Sequence, residues 1–488
     1  MKDLRYFLNW MRQEHPQDLI EIDREVDSRY EITAVLLKLH KLRLEDLPVL
    51  VFKRVRTTKG EISPYPVIIN IAGSRRRYAK WLEATPETVT NVARERMTTG
   101  RKNPVVIPRG EAPCKEVVKL GKEVDLFELP ALVEWKYNPG PYINAGGFLC
   151  YDPDTHVENS AIIRGWIKSR DTIPHHANHH GHTAHIRRLH EARNKDMRAV
   201  FWVGHHPAAM KGSATRIPYG ESHFQAMGGL IGEPLRLVPS ETLGDDFLVP
   251  ADAEFVIEGI VPAHQRSPEG PYGEDWGHVG AQRLHPFLKV TAMTHRRDAY
   301  WVNFVTGQSP FMIDRREGTY RADIGLRVAR MVSPAVLEVR ESAIKGGFYV
   351  RIKKSRQGEA KDIGLAVLSS IDGAKFAMIF DEDVDINDDA EALWALGSRT
   401  QWDDDVTIIA GARGGATDPS TPQEGVSAKA IIDATTPPNF EPRNSIPKEV
   451  LDGVRLNNYL PGQFFDSLPQ RLFSQLPENL LREIGVVK

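Results

Sequence analysis

The chain has 488 residues, which is enough for about two to four domains of ordinary size. A formal net charge of −2 excludes the basic excess that is typical of proteins that bind nucleic acid or an anionic membrane surface. Hydrophobic residues make up 41% of the chain and charged residues 26%, the balance of a water-soluble globular protein. We therefore expect neither a nucleic-acid partner nor a membrane partner.

The cysteine content and the N-terminus both bear on the cellular compartment. Cys114 and Cys150 provide no disulfide framework and no C-x-x-C motif, which favours a reducing compartment. Residues 1–17 carry charges among their apolar residues, unlike a signal peptide. The sequence shows no apolar run of about 18 residues, the length of a membrane-spanning helix. The sequence therefore predicts a cytoplasmic protein.

The N-terminal portion, residues 1–115, is predicted to be α/β. Apolar residues follow a helical i, i+3, i+4, i+7 spacing from Leu4 to Met11. The stretch Ser28 to Glu31 has the pattern of a capping box ahead of a second helix. Two apolar runs, at 48–53 and 66–72, are typical of strands.

The central portion, residues 116–325, is rich in glycine, proline and histidine. Short β-like runs begin at Phe255 and Phe287 and alternate with turns. This pattern predicts a compact barrel or sandwich with functional loops.

The C-terminal portion, residues 326–445, returns to an alternation of strands and helices. Strands are predicted at 336–339, 376–380 and 406–409, and helices at 363–368 and 389–396. The tail, residues 446–488, ends in a helical pattern of spaced leucines that must dock on something, for which a partner subunit is the natural candidate.

The most informative motif is the loop from Pro268 to Glu274, in which two carboxylates lie five residues apart. Glycine and proline between Glu269 and Glu274 favour a specific loop over a helix or a central strand. Such a loop can keep one carboxylate ionised and the other protonated, as acid–base chemistry requires. Taken alone, the motif is equally typical of a turn with two solvated glutamates.

Four further groups could bind ligands. Asn159 suits a hard divalent ion and Arg164 suits a carboxylate, although a strand with one buried polar group has the same pattern. The tract from His175 to His185 holds six histidines, of which we expect at most one or two to bind a metal. Glu221 and His223 offer a carboxylate or an imidazole. The acidic stretch 381–385 follows an apolar strand and is more typical of a solvated turn.

In this order and at these spacings the motifs resemble the UbiD family of prenylated-flavin-dependent decarboxylases, over residues 5 to 440. The E-G-P-[FY]-G-E core at Glu269–Glu274 is the most specific element of the resemblance. Five other stretches lie at positions similar to those in the family: 140–146, 159–164, 249–259, 418–420 and 429–435.

The resemblance implies roles for individual residues. Arg164, Glu269 and Glu274 match the family's catalytic Glu–Arg–Glu network, and Asn159 and His185 match two ligands of its Mn2+ or similar ion. The third ligand is usually a glutamate, but the ungapped register places His223 there, with Glu221 two residues earlier. The complete set of implied cofactor contacts is Asn159, Ile162, Arg164, His185, Gly212 and Ser213, of which the last two lie where relatives bind K+.

The resemblance also implies an architecture and an activity. We expect an α/β fold with a central split β-barrel of the flavin-reductase kind, flanked by the two α/β portions, and a homodimer or a higher multiple. The expected cofactors are prenylated FMN, Mn2+ or another divalent ion, and K+, and a flavin prenyltransferase would supply the flavin.

The implied reaction is the reversible non-oxidative decarboxylation of an aromatic or heteroaromatic acid. Arg164 would hold the carboxylate, and Glu274, protonated near neutral pH, would donate the proton. Trp276 and His278 either line the pocket or pack behind the loop. Two alternatives remain at this stage: a metal hydrolase built on the histidine tract, and a flavin-binding redox or carrier protein.

Overall fold

A computed structural model describes most of the chain. The described residues are 2–41, 47–71, 74–85, 88–176, 181–306, 319–342, 344–371, 373–415, 417–421, 425–438, 440, 443–444, 447–461 and 463. The chain forms two compact units, Met1–Thr435 and Thr436–Lys488. Within the described ranges, no helix has the length and apolarity needed to cross a bilayer.

The N-terminal portion is a small α/β sheet. Its elements are α1 (Leu4–Glu14), β1 (Leu19–Asp27), α2 (Glu31–Lys41), β2 (Val49–Arg56), β3 (Val67–Ile69), α3 (Arg75–Trp81) and α4 (Val89–Met97). The predicted first helix is confirmed: it buries Leu4, Phe7, Leu8 and Met11. The Asp3 carboxylate caps it by accepting a hydrogen bond from the Tyr6 amide at 2.8 Å.

The capping box predicted at Ser28 is wrong in detail. The Ser28 carbonyl accepts from the Val133 amide at 3.1 Å, and the Tyr30 amide donates to the Val133 carbonyl at 2.9 Å. These bonds hold the segment against another part of the chain, so α2 begins only at Glu31. The Glu31 carboxylate instead accepts from the Asp27 amide at 2.9 Å.

The central portion is built on strands that pair mainly in antiparallel fashion. Its first elements are β4 (Val105–Val106), β5 (Val117–Leu120), β6 (Tyr142–Ile143), β7 (Gly146–Tyr151), β8 (Glu158–Ile162), β9 (Gly165–Trp166), β10 (Thr172–Pro174), α5 (His182–Ala192), β11 (Met197–Val203), α6 (Pro207–Ala214) and α7 (His223–Ile231). There follow β12 (Arg236–Pro239), β13 (Leu248–Pro250), β14 (Phe255–Val261), β15 (Ser267–Glu269), β16 (Tyr272–Gly273), β17 (Val279–Gly280), β18 (Arg283–His285), β19 (Phe287–His295) and β20 (Trp301–Asn303).

Seven of these strands form the main sheet. Its order is β10-β19-β14-β11-β7-β8, and β5 also pairs with β19. The runs predicted at Phe255 and Phe287 are its strands β14 and β19. Among the described residues the pairing does not close into a barrel. The edge strand β8 is in contact with α5, α6 and α7, so this edge is covered rather than exposed.

The last strand of the central portion belongs to another sheet. β20 pairs in parallel with β3, with Trp301 opposite Val67, and so completes the N-terminal sheet in the order β1-β2-β3-β20. The N-terminal and central portions therefore share a sheet.

The C-terminal portion alternates strands and helices, as predicted, and has helices on both faces of its sheet. The alternation predicts a mostly parallel sheet, but the observed sheet is mixed, because both edge strands pair in antiparallel fashion. Its elements are α8 (Thr319–Val332), β21 (Val336–Glu341), β22 (Gly347–Ile352), α9 (Glu359–Ser370), β23 (Phe376–Asp381), α10 (Asp389–Arg399), β24 (Val406–Arg413) and β25 (Val426–Asp433). The strand order is β21-β22-β23-β25-β24, and β22, β23 and β25 run parallel. Separate apolar clusters lie under α8 and α9 and under α10.

The second unit contains the short helix α11 (Lys448–Gly453). The leucine-rich helix expected near the end of the tail, residues 464–488, lies outside the described residues.

Close packing between β7 and β11 holds the strand that carries Asn159. Gly147 on β7 lies opposite Trp202 on β11, and a Cβ atom at Gly147 would overlap the buried indole. The indole Nε1 donates to Ser160 Oγ on β8 at 3.2 Å. Glycine at position 147 therefore allows Trp202 to reach the residue next to Asn159.

We predict that Gly147→Ala lowers the free energy of unfolding by about 1–3 kcal/mol, the usual cost of overpacking a core. Thermal or urea unfolding measures it. Gly397→Ala is the matched control, because a Cβ atom there meets nothing within 4 Å and Gly397 lies in α10. That variant should be as stable as the parent or slightly more stable. Equal stability of Gly147→Ala and the parent would contradict the prediction.

Candidate active site

A buried ion-pair network joins three residues that the sequence singled out. Arg164 lies between β8 and β9, Glu269 ends β15, and Glu274 follows β16. Arg164 Nε and Nη2 donate to the two oxygens of Glu269, both at 3.0 Å, and Nη1 donates to Glu274 Oε1 at 2.7 Å. Glu269 is 1% exposed and Glu274 8%. The structure thus brings the predicted arginine and both glutamates into one network.

The loop between the two glutamates adopts a backbone that depends on glycine. Gly270 has φ +86°, in the left-handed region where a side chain is disfavoured. Gly273 lies so close to Trp135 that a Cβ atom would overlap the indole. The loop therefore needs glycine at both positions, and it turns the two carboxylates toward the same guanidinium.

Burial and neighbouring charges shift the proton affinity of the network. Burial raises the pKa of Glu274, Arg164 lowers it, and Asp275 and Glu269 raise it again, with a net rise. Burial lowers the pKa of Arg164, but Glu274 and Glu269 outweigh it, so the guanidinium stays charged. Arg164 can therefore orient both carboxylates while Glu274 retains a proton to a higher pH than an ordinary glutamic acid.

Tyr272 supports the guanidinium from one face. Its ring centroid lies 4.3 Å from Arg164 Cζ, a cation–π contact. The Tyr272 hydroxyl donates to Asn144 Oδ1 at 2.9 Å and lies 2.6 Å from Thr306 Oγ1. The tyrosine of the E-G-P-Y-G-E motif thus positions the arginine.

A buried carboxylate that the sequence analysis missed lies behind Tyr272. Glu134 is 2% exposed, and burial raises its pKa to about 7 despite four hydrogen bonds that lower it. Asn144 and Asn303 donate their amide N–H groups to Oε1 at 2.7 and 2.9 Å. The Thr306 amide and hydroxyl donate to Oε2 at 3.2 and 3.0 Å. No local pattern marks Glu134, because its partners are distant in sequence.

A small polar pocket lies beside the start of β8. It is lined by Asp152, Val157, Glu158, Asn159, His182, Ile186, Tyr219, Gly220 and Glu221. Asn159 Nδ2 donates to Thr183 Oγ1 at 2.9 Å, which leaves its Oδ1 as a possible ligand atom. Carboxylate oxygens, an amide oxygen and an imidazole are groups that bind a divalent cation such as Mn2+, but no three of the acidic and histidine side chains of this lining bring ligand atoms within 4.8 Å of one another among the described residues.

The histidines that the sequence offers as candidate metal ligands have different surroundings in the structure. His182 lines the pocket with Asn159, whereas His185 is exposed and its ring lies 4.8 Å from that of Tyr219. His223 is buried outside the pocket lining: its Nε2 lies 3.2 Å from the Thr215 carbonyl, and burial lowers its pKa to about 4. Glu221 lines the pocket and forms an ion pair with Arg101 at 2.5 Å.

The other predicted cofactor contacts lie on the elements next to Asn159. Ile162 ends β8, opposite Gly147. Gly212 and Ser213 lie in α6, and Ser213 Oγ is 2.7 Å from Ser160 Oγ on β8. All three therefore lie on or beside the strand that carries Asn159.

The residues after Glu274 contact the C-terminal sheet. Lys345 Nζ bonds to the Asp275 carboxylate at 2.7 Å. The Trp276 ring lies 4.8 Å from Lys345 Nζ and 5.6 Å from Lys375 Nζ. Of the two expectations for Trp276, these contacts favour packing behind the loop.

The chain matches three models of one protein family. They are described as the N-terminal, Rift-related and C-terminal domains of the UbiD 3-octaprenyl-4-hydroxybenzoate carboxy-lyase, and they match residues 11–97, 105–309 and 318–434. A phenolic acid decarboxylase of Sedimentibacter hydroxybenzoicus is 30% identical over 456 residues, which are 90% of this chain and 93% of the relative.

Two solved proteins have similar structures. The UbiD-class enzyme HmfF of Pelotomaculum thermopropionicum in complex with FMN is 30% identical, with a TM-score of 0.81 over 94% of this chain and 100% of that one. An evolved dimeric form of HmfF in complex with prFMN has the same TM-score at 28% identity and the same coverage. The vanillic acid decarboxylase of S. hydroxybenzoicus, in its closed form, is 29% identical, with a TM-score of 0.79 over 92% of this chain and 95% of that one.

We predict that Glu134→Gln lowers the free energy of unfolding by about 1–3 kcal/mol, because an amide N–H group would face donors that now meet a carboxylate oxygen. Urea unfolding measures the change. The matched control is Glu111→Gln, at an exposed position, which should leave stability unchanged. If the two variants are equally stable, Glu134 does not organise this network.

Proposed function

Because the chain belongs to the UbiD family of carboxy-lyases, we propose that it removes a carboxyl group as CO2 from an aromatic or heteroaromatic acid with prenylated FMN, in a reversible reaction without net oxidation. The observation that carries the proposal is the buried contact of Arg164 with both Glu269 and Glu274. The phenolic and vanillic acid decarboxylases among the relatives support an aromatic substrate. Neither relatives nor geometry favour the histidine-tract hydrolase.

The role that we propose for Arg164 follows from its hydrogen bonds. A guanidinium has five N–H groups, and three of them donate to the glutamates. One N–H on Nη1 and one on Nη2 can therefore receive the carboxylate of the substrate as a bidentate pair. The same side chain then holds the substrate and aligns the proton donor, which reduces the entropic cost of reaching the reactive geometry.

Glu274 supplies the proton in this proposal. Prenylated FMN, when bound, accepts the electron pair that departing CO2 leaves behind, which no side chain can do. Glu274 Oε then delivers its proton to the carbon that has lost CO2, and takes it back in the reverse direction. Burial raises the pKa of Glu274 and so favours the protonated acid, and the charge of the neighbouring Glu269 works in the same direction.

We propose that the residues of the polar pocket would hold a divalent ion, which would neutralise negative charge near the flavin phosphate. Three carboxylates, Asp152, Glu158 and Glu221, line the pocket, so a phosphate would be repelled unless a cation lay between. We assign Asn159 and Glu221 as ligands, and His182 as the imidazole in place of His185, since His182 lines the pocket. The flavin contacts would come from Ile162 and Arg164, with Gly212 and Ser213 near a K+ ion.

The finer points of architecture are also proposals. We assign the seven-stranded sheet as a split barrel, because Gly165, which follows the edge strand β8, forms a bridge with His175, which follows the edge strand β10. The expected domain limits, 1–115, 116–325, 326–445 and 446–488, stay a proposal, and the family matches at 11–97, 105–309 and 318–434 agree with the first three portions.

For the assembly and the cellular compartment we propose what the sequence predicts. A homodimer agrees with the dimeric form of HmfF. A flavin prenyltransferase would supply the cofactor. The free, buried thiols Cys114 and Cys150 agree with the reducing cytosol.

We predict that Glu274→Gln lowers turnover by about 100-fold or more, the usual loss for a missing general acid. CO2 release from a panel of aromatic acids measures turnover, and absorbance measures the flavin content, which should not change. Glu61→Gln, an exposed glutamate, is the control. In the parent, turnover should fall as the pH rises through the raised pKa of Glu274, because the donor then ionises. A Glu274→Gln variant with normal turnover would refute the assignment.

A second prediction distinguishes the candidates for the carboxylate or imidazole ligand. Glu221→Ala should lower the Mn2+ and flavin content of the purified protein, whereas His223→Ala should leave the Mn2+ content near that of the parent. Elemental analysis and flavin absorbance measure both. His182→Ala and His185→Ala, compared in the same way, decide between the two histidines of α5. If only His223→Ala and His185→Ala lose the metal, the ligands are the two histidines that the sequence register predicts.

A further inference from the structure

Three side chains from separate segments lie close together at one glutamate of the buried network. They are His176, Glu269 and His285, and one possible ligand atom of each lies within 4.8 Å of those of the other two. Glu269 and His285 are buried, and His176 is half-buried. One imidazole of the histidine tract therefore belongs to this cluster, and not to the pocket of Asn159, where the tract was expected to supply a metal ligand.

The backbone segments that carry these residues are bonded to one another. The His176 amide donates to the Arg164 carbonyl at 3.2 Å, and the His175 amide donates to the Pro286 carbonyl at 3.0 Å, next to His285. The strands β15 and β18, which carry Glu269 and His285, pair in antiparallel fashion. The three side chains are thus held in place by the fold, so binding a ligand there needs little reordering of the chain.

Two imidazoles and one carboxylate are a known ligand set for borderline transition metals. Three such ligands and an open position for water are typical of zinc sites. With bonds of about 2.1 Å in a tetrahedral site, ligand atoms lie about 3.4 Å apart. Rotation of the half-buried His176 and small shifts of the other two side chains would bring the atoms to that spacing. Each Glu269 oxygen accepts one bond from Arg164, and the Tyr142 hydroxyl also interacts with this carboxylate, but the two oxygens have four lone pairs between them.

The charges around the three residues favour a cation. Arg164 contributes one positive charge, and Glu269 and Glu274 contribute two negative charges when both are ionised. When Glu274 is ionised, the sum is one negative charge in a buried environment, where attraction to a divalent ion is stronger than in water. When Glu274 is protonated, the charges of Arg164 and Glu269 balance, so the cation is favoured most in the ionised state. Imidazole suits Zn2+ or Co2+, whereas the oxygen-rich pocket of Asn159 and Glu221 suits Mn2+.

We propose that His176, Glu269 and His285 form a second divalent-metal site, selective for Zn2+ over Mn2+. An ion in this site draws electron density from the carboxylate that orients Arg164. Zn2+ therefore weakens the Arg164–Glu269 contact and inhibits the reaction. The inhibition rests on the proposed function, whereas the binding of Zn2+ does not.

The test measures Zn2+ uptake by the holoprotein. Parent, His176→Ala, His285→Ala and His264→Ala are dialysed against a series of free Zn2+ concentrations, and bound zinc is measured by elemental analysis. His264, hydrogen-bonded to Asn194 on an exposed turn, is the matched control. The parent and His264→Ala should bind one more Zn2+ per chain than the other two variants. Where residual binding is seen, the affinity should be at least about 10-fold weaker.

Equal zinc uptake by all four proteins would overturn the site. Circular dichroism and Mn2+ content verify that each variant is folded, and His285→Gln, which keeps a polar side chain of similar size, replaces His285→Ala if that variant is not folded. A second readout is turnover: Zn2+ should inhibit the parent and His264→Ala but not His285→Gln. Zinc uptake without inhibition would confirm the site and refute its effect on Arg164, and uptake can be scored even if no acid is decarboxylated.

Discussion

The burial of one guanidinium between two carboxylates is the constraint on which the site depends. Removing charges from water costs several kcal/mol per ion, and only good geometry with satisfied hydrogen bonds offsets that cost. Three hydrogen bonds join Arg164 to Glu269 and Glu274, and a tyrosine ring lies beneath the cation. These contacts offset the cost of burying the charges. Loss of one partner would leave a buried charge uncompensated, which typically costs about 3–5 kcal/mol.

The residues around this network hold its members in place through hydrogen bonds and a charged contact. Glu134 anchors Asn144 and Thr306, and these two hold the hydroxyl of the tyrosine under the guanidinium. On the opposite side, the residues after Glu274 are bonded to the C-terminal sheet through Lys345. Glu274, the proposed proton donor, is therefore flanked by a hydrogen-bonded network within the central portion and by a charged contact with the C-terminal portion.

The sequence predicted those parts of the molecule that have local signatures. Amphipathic spacing identified α1, and the alternation of apolar runs identified three of the five strands of the C-terminal sheet and two of the helices beside it. The loop from Glu269 to Glu274 was recognised because its glycines and carboxylates lie within six residues. Arg164 was linked to that loop only through the family resemblance, since about a hundred residues separate them.

The remainder could not be predicted, because it depends on contacts between distant residues. Glu134 and Thr306 are isolated polar residues in the sequence, and only the fold brings them together. The choice between His182 and His185 depends on helix register, which residue spacing alone does not determine. Ser28 fits a capping pattern, yet its segment pairs with Val133, a tertiary contact that overrides the local preference.

The pairing of β3 with β20 has a consequence for how the protein acquires its structure. Residues 67 and 301 are neighbours in one sheet, so the N-terminal sheet lacks an edge strand until more than half of the chain has been synthesised. Closing so long a loop is entropically costly and makes folding slow. On the ribosome, Val67–Ile69 would therefore wait with one edge unpaired, and nascent chains that end before Trp301 would expose a template for aggregation.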